Sequence, residues 1–188
     1  MIYVVIATTK GRRERLQKCI NAIRESTMPH ALVVYENSDG GCVLATKKAI
    51  EGINGEIFLL NDDMIIAPDC LEILAKTYRT LYPNQDGVCQ PDDNYHRGIM
   101  AVSPYCHTNT IRPFLEDYIH NGWDGEFSEV MKLKGKYTTV LEAKMDHQHF
   151  TKGVSQFDAT YALSVATQAR DNALLEKRLA DKFSHRFK

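Results

Sequence analysis

The sequence predicts an α/β protein in which a mostly parallel sheet is flanked by helices and a long helix closes the chain. Three observations carry this. Short apolar, β-branched runs recur at residues 2–7, 31–35 and 56–60, each followed by a polar loop. A segment of helical periodicity follows each loop, and such alternation builds a parallel sheet covered by helices. Finally, Phe157, Tyr161, Val165, Leu175, Leu179 and Phe183 form a stripe along one long amphipathic helix over residues 157–183.

Taken in order, IYVVIA at 2–7 is a buried strand that breaks at Thr8-Thr9-Lys10-Gly11. Leu16, Cys19, Ile20 and Ile23 then mark a helix that ends before Met28-Pro29. Residues 31–35 form a second strand, closed by the turn formers ENSDGG at 36–41. A helix over 43–53, a third strand over 56–60 and a helix starting at Pro68-Asp69 complete the first half. The second half is less regular. An irregular segment at 88–100 contains Pro91-Asp92-Asp93-Asn94, and a helix is predicted over 111–119. A turn at 121–125, a helix over 126–133 and a strand over 137–150 follow, the last with Leu141, Ala143, Met145, His147 and His149 on one face.

The composition excludes several classes. Of 188 residues, 44% are hydrophobic and 25% charged, which is ordinary globular usage and fits one domain. Lys+Arg 23 against Asp+Glu 24 gives a net charge of −1, so no global basic field draws in nucleic acid or membrane. The apolar runs are too short to cross a bilayer, and no leader pattern opens the chain, so a cytoplasmic protein is expected. Five cysteines without a CxxC pair argue for reduced, mostly buried thiols.

Ligands of open α/β sheets bind beyond the carboxyl ends of the strands. The loops 8–12, 36–41 and 61–63 should therefore share one rim. On it, Asn61-Asp62-Asp63 places adjacent carboxylates at the end of an apolar strand, where a hard divalent cation would offset their repulsion and lost hydration. The alternative is that Asp62 and Asp63 cap the next turn in water. His147 and His149 end a strand whose earlier residues face the core, so either imidazole could join that cation; otherwise both are surface groups. Trp123-Asp124-Gly125-Glu126 sets a carboxylate at a loop-to-helix junction beside the only Trp. That suits a general base, with helix capping as the competing role.

Together, TTKGRRERL, VVYENSDGG, IFLLNDDMIIAPDCLEIL, WDGEFSEVMKLKGKY and the late His motif resemble a family 2 glycosyltransferase with the GT-A-like (Rossmann-like) fold, over residues 2–150. The resemblance implies a nucleotide-binding half at 1–87, an acceptor and catalytic half at 88–150 and a helical extension at 151–188. It implies transfer of a sugar from a nucleoside-diphosphate sugar, UDP being favoured, to an acceptor hydroxyl, with inversion and with Mn²⁺ or Mg²⁺. Thr8, Thr9 and Arg12 would contact the nucleotide, although the family's Pro and Asn are missing from this loop. Glu36, Asn37 and Ser38 would hold the base, with Glu36 standing for the family's Asp. In the family's DXD motif Asn61 replaces the first acid, Asp62 lies on the donor side, and Asp63 binds metal with His149, favoured over His147. Asp124 takes the role of catalytic base with Glu126 next in line, and Trp123 stacks on sugar or acceptor.

Three other functions compete: a nucleotidyltransferase, a metal-dependent hydrolase built on the histidines, and a domain that binds sugar nucleotide or a partner without turnover. The acceptor (carbohydrate, protein or modified nucleic-acid base) is left open. Residues 170–188 carry six basic and three acidic side chains, a local +3 that would suit an anionic acceptor or a solvated helix face. The long C-terminal helix could also form a homodimer face.

Overall fold

The computed structural model describes residues 1–37 and 41–187. Strand β1 (Ile2–Thr8) runs through the middle of the first half, with Val4, Val5 and Ile6 fully buried. It pairs in parallel with β2 (Ala31–Glu36) on one side and β3 (Glu56–Asn61) on the other, Thr8 standing opposite Glu36 and Ala7 opposite Asn61. The carboxyl ends of these strands are therefore level. Helices α1 (Arg13–Arg24) and α2 (Cys42–Ala49) make the crossovers. The second is shorter than its apolar pattern predicts, because the chain turns at Gly52, with φ +78°.

A tight turn at Asp62-Asp63 joins β3 to a short strand the sequence did not announce, β4 (Met64–Ile66). After α3 (Cys70–Leu81), the segment expected to be irregular at 88–100 opens with β5 (Val88–Asp92), and β6 (Tyr105–His107) follows it. The predicted helix at 111–119 is replaced by the single turn α4 (Thr108–Ile111) and a 3₁₀ turn over Arg112–Phe114. Pro113 lacks the N–H that a continuing helix would use. Helix α5 spans Trp123–Leu133, β7 spans Tyr137–His147, and α6 spans Ala159–Ala180.

The seven strands lie in the order β2-β1-β3-β6-β5-β7-β4. The first-half strands and the β5–β7 pair are parallel, but β6 and β4 run antiparallel to their neighbours, so the sheet is mixed. Helices cover it, and a core of Ile, Leu, Val and aromatic side chains fills the space between, each contributing about 1.5–3 kcal/mol by its burial. All five cysteines are free thiols and four are buried. Among the described residues no helix is long and apolar enough to cross a membrane.

Two sequence expectations fail by a change of phase. The register of β7 against β5 slips between Pro91 and Asp92, so Leu141 is exposed while Val140, Ala143, Met145 and His147 are buried. Of the predicted stripe, Phe157 (just before α6), Val165 and Leu179 are more than half exposed, whereas Tyr161 and Phe183 are buried and Leu175 is half-buried; Asp171 is buried as well. The helix turns a largely polar face inward, over the rim of the sheet.

Candidate functional site

A cavity of about 850 Å³ opens at the carboxyl ends of β1 and β3. Its floor is the loop after β1 and the Asn61–Asp63 turn; its walls are the start of α2, the start of α5, His96, His147 and His149; and the inner face of α6 lies across it.

Backbone pairing draws the acidic and imidazole groups together. In the β4–β7 ladder Met64 stands opposite His147, and Gln148 N–H donates to the Asp63 carbonyl at 2.8 Å. On the other side of β7, His147 N–H donates to the Asp93 carbonyl at 3.2 Å. Residues 63, 93 and 147, far apart in sequence, are thus neighbours through main-chain bonds before any side chain contributes.

The two acids of the turn face different ways. Asp62 is 1% exposed and accepts hydrogen bonds from Thr8 Oγ1 and Arg12 Nη1, each at 2.5 Å. Burial still pushes its carboxyl up to about 6, against the pull of Arg12 and Thr8. Asp63 accepts from the Tyr161 hydroxyl through Oδ2 at 2.8 Å, while Oδ1 lies 3.6 Å from His147 Nε2 and has no hydrogen-bond partner among the described residues. Arg12 is the tie between floor and roof. Its Nε donates to Asp158 at 2.9 Å, Nη2 lies 3.7 Å from Asp63, and the guanidinium sits 4.9 Å over the Tyr161 ring. Asp158 in turn caps α6, accepting from the N–H groups of Thr160 and Tyr161. Thr9 bonds Thr160 between hydroxyls at 2.8 Å.

Of the two histidines, His147 is the one against Asp63. His149, favoured on sequence, caps the 3₁₀ turn after β7, with Nδ1 at 2.8 Å from Thr151 Oγ1, and lines the cavity farther out. Its ring lies 5.1 Å from that of His147, and burial lowers its affinity for a proton.

The α5 carboxylates separate as sharply. Gly122, at φ +86°, is the residue before the helix, so Asp124 lies inside the first turn and does not cap it. Asp124 is half-buried on the cavity wall, and burial raises its carboxyl above the ordinary range, partly offset by the Gly125 N–H at 2.9 Å. Trp123 is 6% exposed, stacks on Phe127 and reaches the cavity from the same turn. Glu126 does not reach it. That carboxylate is fully buried on another side of the helix and accepts from Tyr118, Arg178, Arg186 and His185. As a second candidate base it is displaced by its own partners.

The base-binding expectations divide in the same way. Asn61 and Thr9 line the cavity. Glu36, at the end of an edge strand, is exposed and outside the lining, and Asn37 N–H donates to the Thr8 carbonyl at 2.9 Å. Ser38 falls outside the described residues.

Sequence reasoning missed Asp93, His96 and Tyr161 as members of the site. Asp93 is fully buried, and its Oδ1 accepts from the N–H groups of Tyr95, His96 and Arg97. Burial alone would raise its carboxyl, but the His147 and His96 imidazoles beside it and the loop N–H groups hold it well below the usual carboxylate range. Its signal was available: an acidic doublet at the end of an apolar run, as at 62–63, with a His three residues on. Tyr161 left no signal beyond its place in an apolar stripe.

No protein-family model matches the chain, and no curated protein matches it in sequence. Solved structures do match. Staphylococcus aureus TarS 1–349 superposes with a TM-score of 0.60 and 13% identity, over 78% of this chain and 60% of that one. The same segment in complex with UDP-GlcNAc gives 0.59 and 12%, over 78% and 58%. The longer TarS structure gives 0.58 and 11%, over 78% and 36%. The chain thus shares the fold of these structures while spanning about three fifths of the shorter TarS chain or less.

Proposed function

We propose that this chain transfers a sugar from a nucleoside-diphosphate sugar, with UDP as its nucleotide, to an acceptor hydroxyl with inversion. The observation that carries the reading is one cavity in which Asp63 with His147 and, from a separate element, Asp124 with Trp123 face the same space. It sits at the strand ends of a fold shared with a protein crystallised with UDP-GlcNAc.

Each side chain has work in that reaction. Thr9 and Asn61 on the floor would bind the donor beside Arg12, whose charge lies against the acids that a diphosphate would approach. Asp63 and His147 would hold a divalent cation, and the donor set fits one: Asp63 Oδ1 is buried without a partner and faces an imidazole nitrogen across 3.6 Å. Such an ion, when bound, supplies positive charge to the departing diphosphate. Asp124 would accept the proton of the acceptor hydroxyl as that oxygen attacks the anomeric carbon. Burial raises its carboxyl above the ordinary range, which makes it a stronger base than an exposed Asp. Trp123 would close the acceptor side, and α6 would exclude water from the donor.

The test is a melting-temperature screen of UDP, UDP-GlcNAc, CMP and AMP with Mn²⁺, followed by assay of acceptor-dependent UDP release. UDP and a UDP-sugar should raise the midpoint by several degrees and the other nucleotides should not. Equal, negligible shifts for all four would remove the donor assignment. Binding without release of UDP on any acceptor would leave a binding domain.

A further inference from the structure

We propose that Asp93, His96 and His147 form a nitrogen-rich cation site on the cavity wall, selective for a transition metal such as Mn²⁺, Co²⁺ or Zn²⁺ over Mg²⁺. This ion lies on the Nδ1 edge of His147, apart from the Nε2 edge that faces Asp63; any role for it in sugar transfer rests on the reading above, and its binding does not.

Charge accounting singles out this place. Of the two acidic doublets at the strand ends, Asp62 has Arg12 and Asp92 has Lys144 at 2.7 Å. Asp93 is fully buried, and among its ion pairs in the described residues there is no Lys or Arg, only the two imidazoles. Its Oδ1 is used by the loop N–H groups, which leaves Oδ2 facing His96 Nδ1 at 2.9 Å and His147 Nδ1 at 3.6 Å. The second distance is too long for a hydrogen bond. His147 is 5% exposed, and its Nδ1 has no hydrogen-bond partner among the described residues.

A buried imidazole nitrogen aimed at a buried carboxylate without bonding it is the spacing an intervening ion requires. Ligands held at about 2.0–2.2 Å from one ion lie no more than about 4.4 Å apart. One ligand atom from each of the three residues lies within 4.8 Å of the others, so the set closes on an ion by a small contraction. Asp63, 3.6 Å from the other nitrogen of His147, flanks the group. His96 is about a quarter exposed and lines the cavity, so the site opens where the donor would bind. Two imidazoles with a carboxylate suit first-row transition metals, whereas Mg²⁺ prefers oxygen ligands in a near-ideal octahedron.

Tag-free, chelator-stripped protein titrated with Co²⁺, without nucleotide, tests the site. One equivalent should bind, with a visible absorption band, at least tenfold more tightly than Mg²⁺ does by calorimetry. His96→Ala and Asp93→Asn should each weaken Co²⁺ by tenfold or more and alter the band. Asp93 also holds a loop through three N–H groups, so His96→Ala and His96→Gln, at a part-exposed position, decide the matter. Wild-type Co²⁺ affinity and spectrum in His96→Ala, or Mg²⁺ bound as tightly as Co²⁺, would overturn the proposal. UDP binding with Mn²⁺ in the same samples separates the two claims. Nucleotide bound with no Co²⁺ site defeats this inference alone, and a Co²⁺ site with no nucleotide binding defeats the glycosyltransferase reading alone.

Discussion

Carboxylates are buried in two regions of this molecule and treated differently in each. Behind α5, Glu126 is surrounded by Tyr118, Arg178, Arg186 and His185, and Asp171 of α6 accepts from the N–H groups of Ile119, His120 and Asn121. Both are fully buried with their oxygens bonded. At the rim, Asp63 keeps one buried oxygen unpartnered, Asp93 Oδ2 lies between His96 at 2.9 Å and a His147 nitrogen at a non-bonding 3.6 Å, and Asp124 has no Lys or Arg against it among the described residues. A buried charge with saturated partners secures the fold, because removing either side strands the other. A carboxylate placed by the backbone and left short of partners has capacity for a ligand. By that measure the C-terminal segment is anchored by the first region so that it can lie over the second.

This contrast can be broken by substitution. The largest effect is expected at Asp124→Asn, which should lower turnover by about 10²–10⁴-fold with donor affinity and melting temperature nearly unchanged. A near-normal rate in steady-state assays would move the base elsewhere. Next, Glu126→Ala should cost about 3–5 kcal/mol of stability in urea denaturation, while each folded molecule keeps its activity at low temperature. Lost activity in a fully folded Glu126→Ala protein would erase the distinction between the regions.

The pH dependence should differ in sign. The bonds to Glu126 and Asp171 outweigh burial and hold both carboxyls below their usual range. Their stabilisation is therefore present above the unfolded values of about 4 and lost as the pH falls below them. Asp62, pushed up to about 6 by burial, does the reverse: its ionisation costs stability as the pH rises from about 4 through about 6. Chemical denaturation across pH 3–7 should show the acid-side loss shrink in Glu126→Gln and the opposing slope vanish in Asp62→Asn. The smallest change is expected for Tyr161→Phe, about 0.5–1.5 kcal/mol from one lost hydrogen bond to Asp63.

Much of the site was legible because its residues announce themselves locally. Thr8, Asp62, Asp63 and Asp124 follow apolar runs or turn formers, and each lies at the cavity. What misled was orientation. His149 and His147 are equivalent in a period-two pattern, and only the pairing of Met64 with His147 separates them. Glu126 is as acidic as Asp124 and shares its helix turn, but two residues on a helix turn it about 200° around the axis, into Arg178 and Arg186. Half of the predicted C-terminal stripe failed because Phe157, Val165 and Leu179 weigh heavily in an apolar count, whereas much of what draws this face inward is polar: Asp158 on Arg12, Tyr161 on Asp63, Asp171 on three peptide groups.

The amino-acid order by itself determined the α/β alternation, the level strand ends of the first half and the doublet that opens the site, since these depend on propensity and periodicity within a few residues. Which imidazole meets Asp63, that Asp93 and His96 join them, and that α6 roofs the cavity were decided only by tertiary structure. Those are matters of register and of contacts across some 30 to 150 residues of chain, where the free energy depends on the whole set of partners and no single segment contains the information.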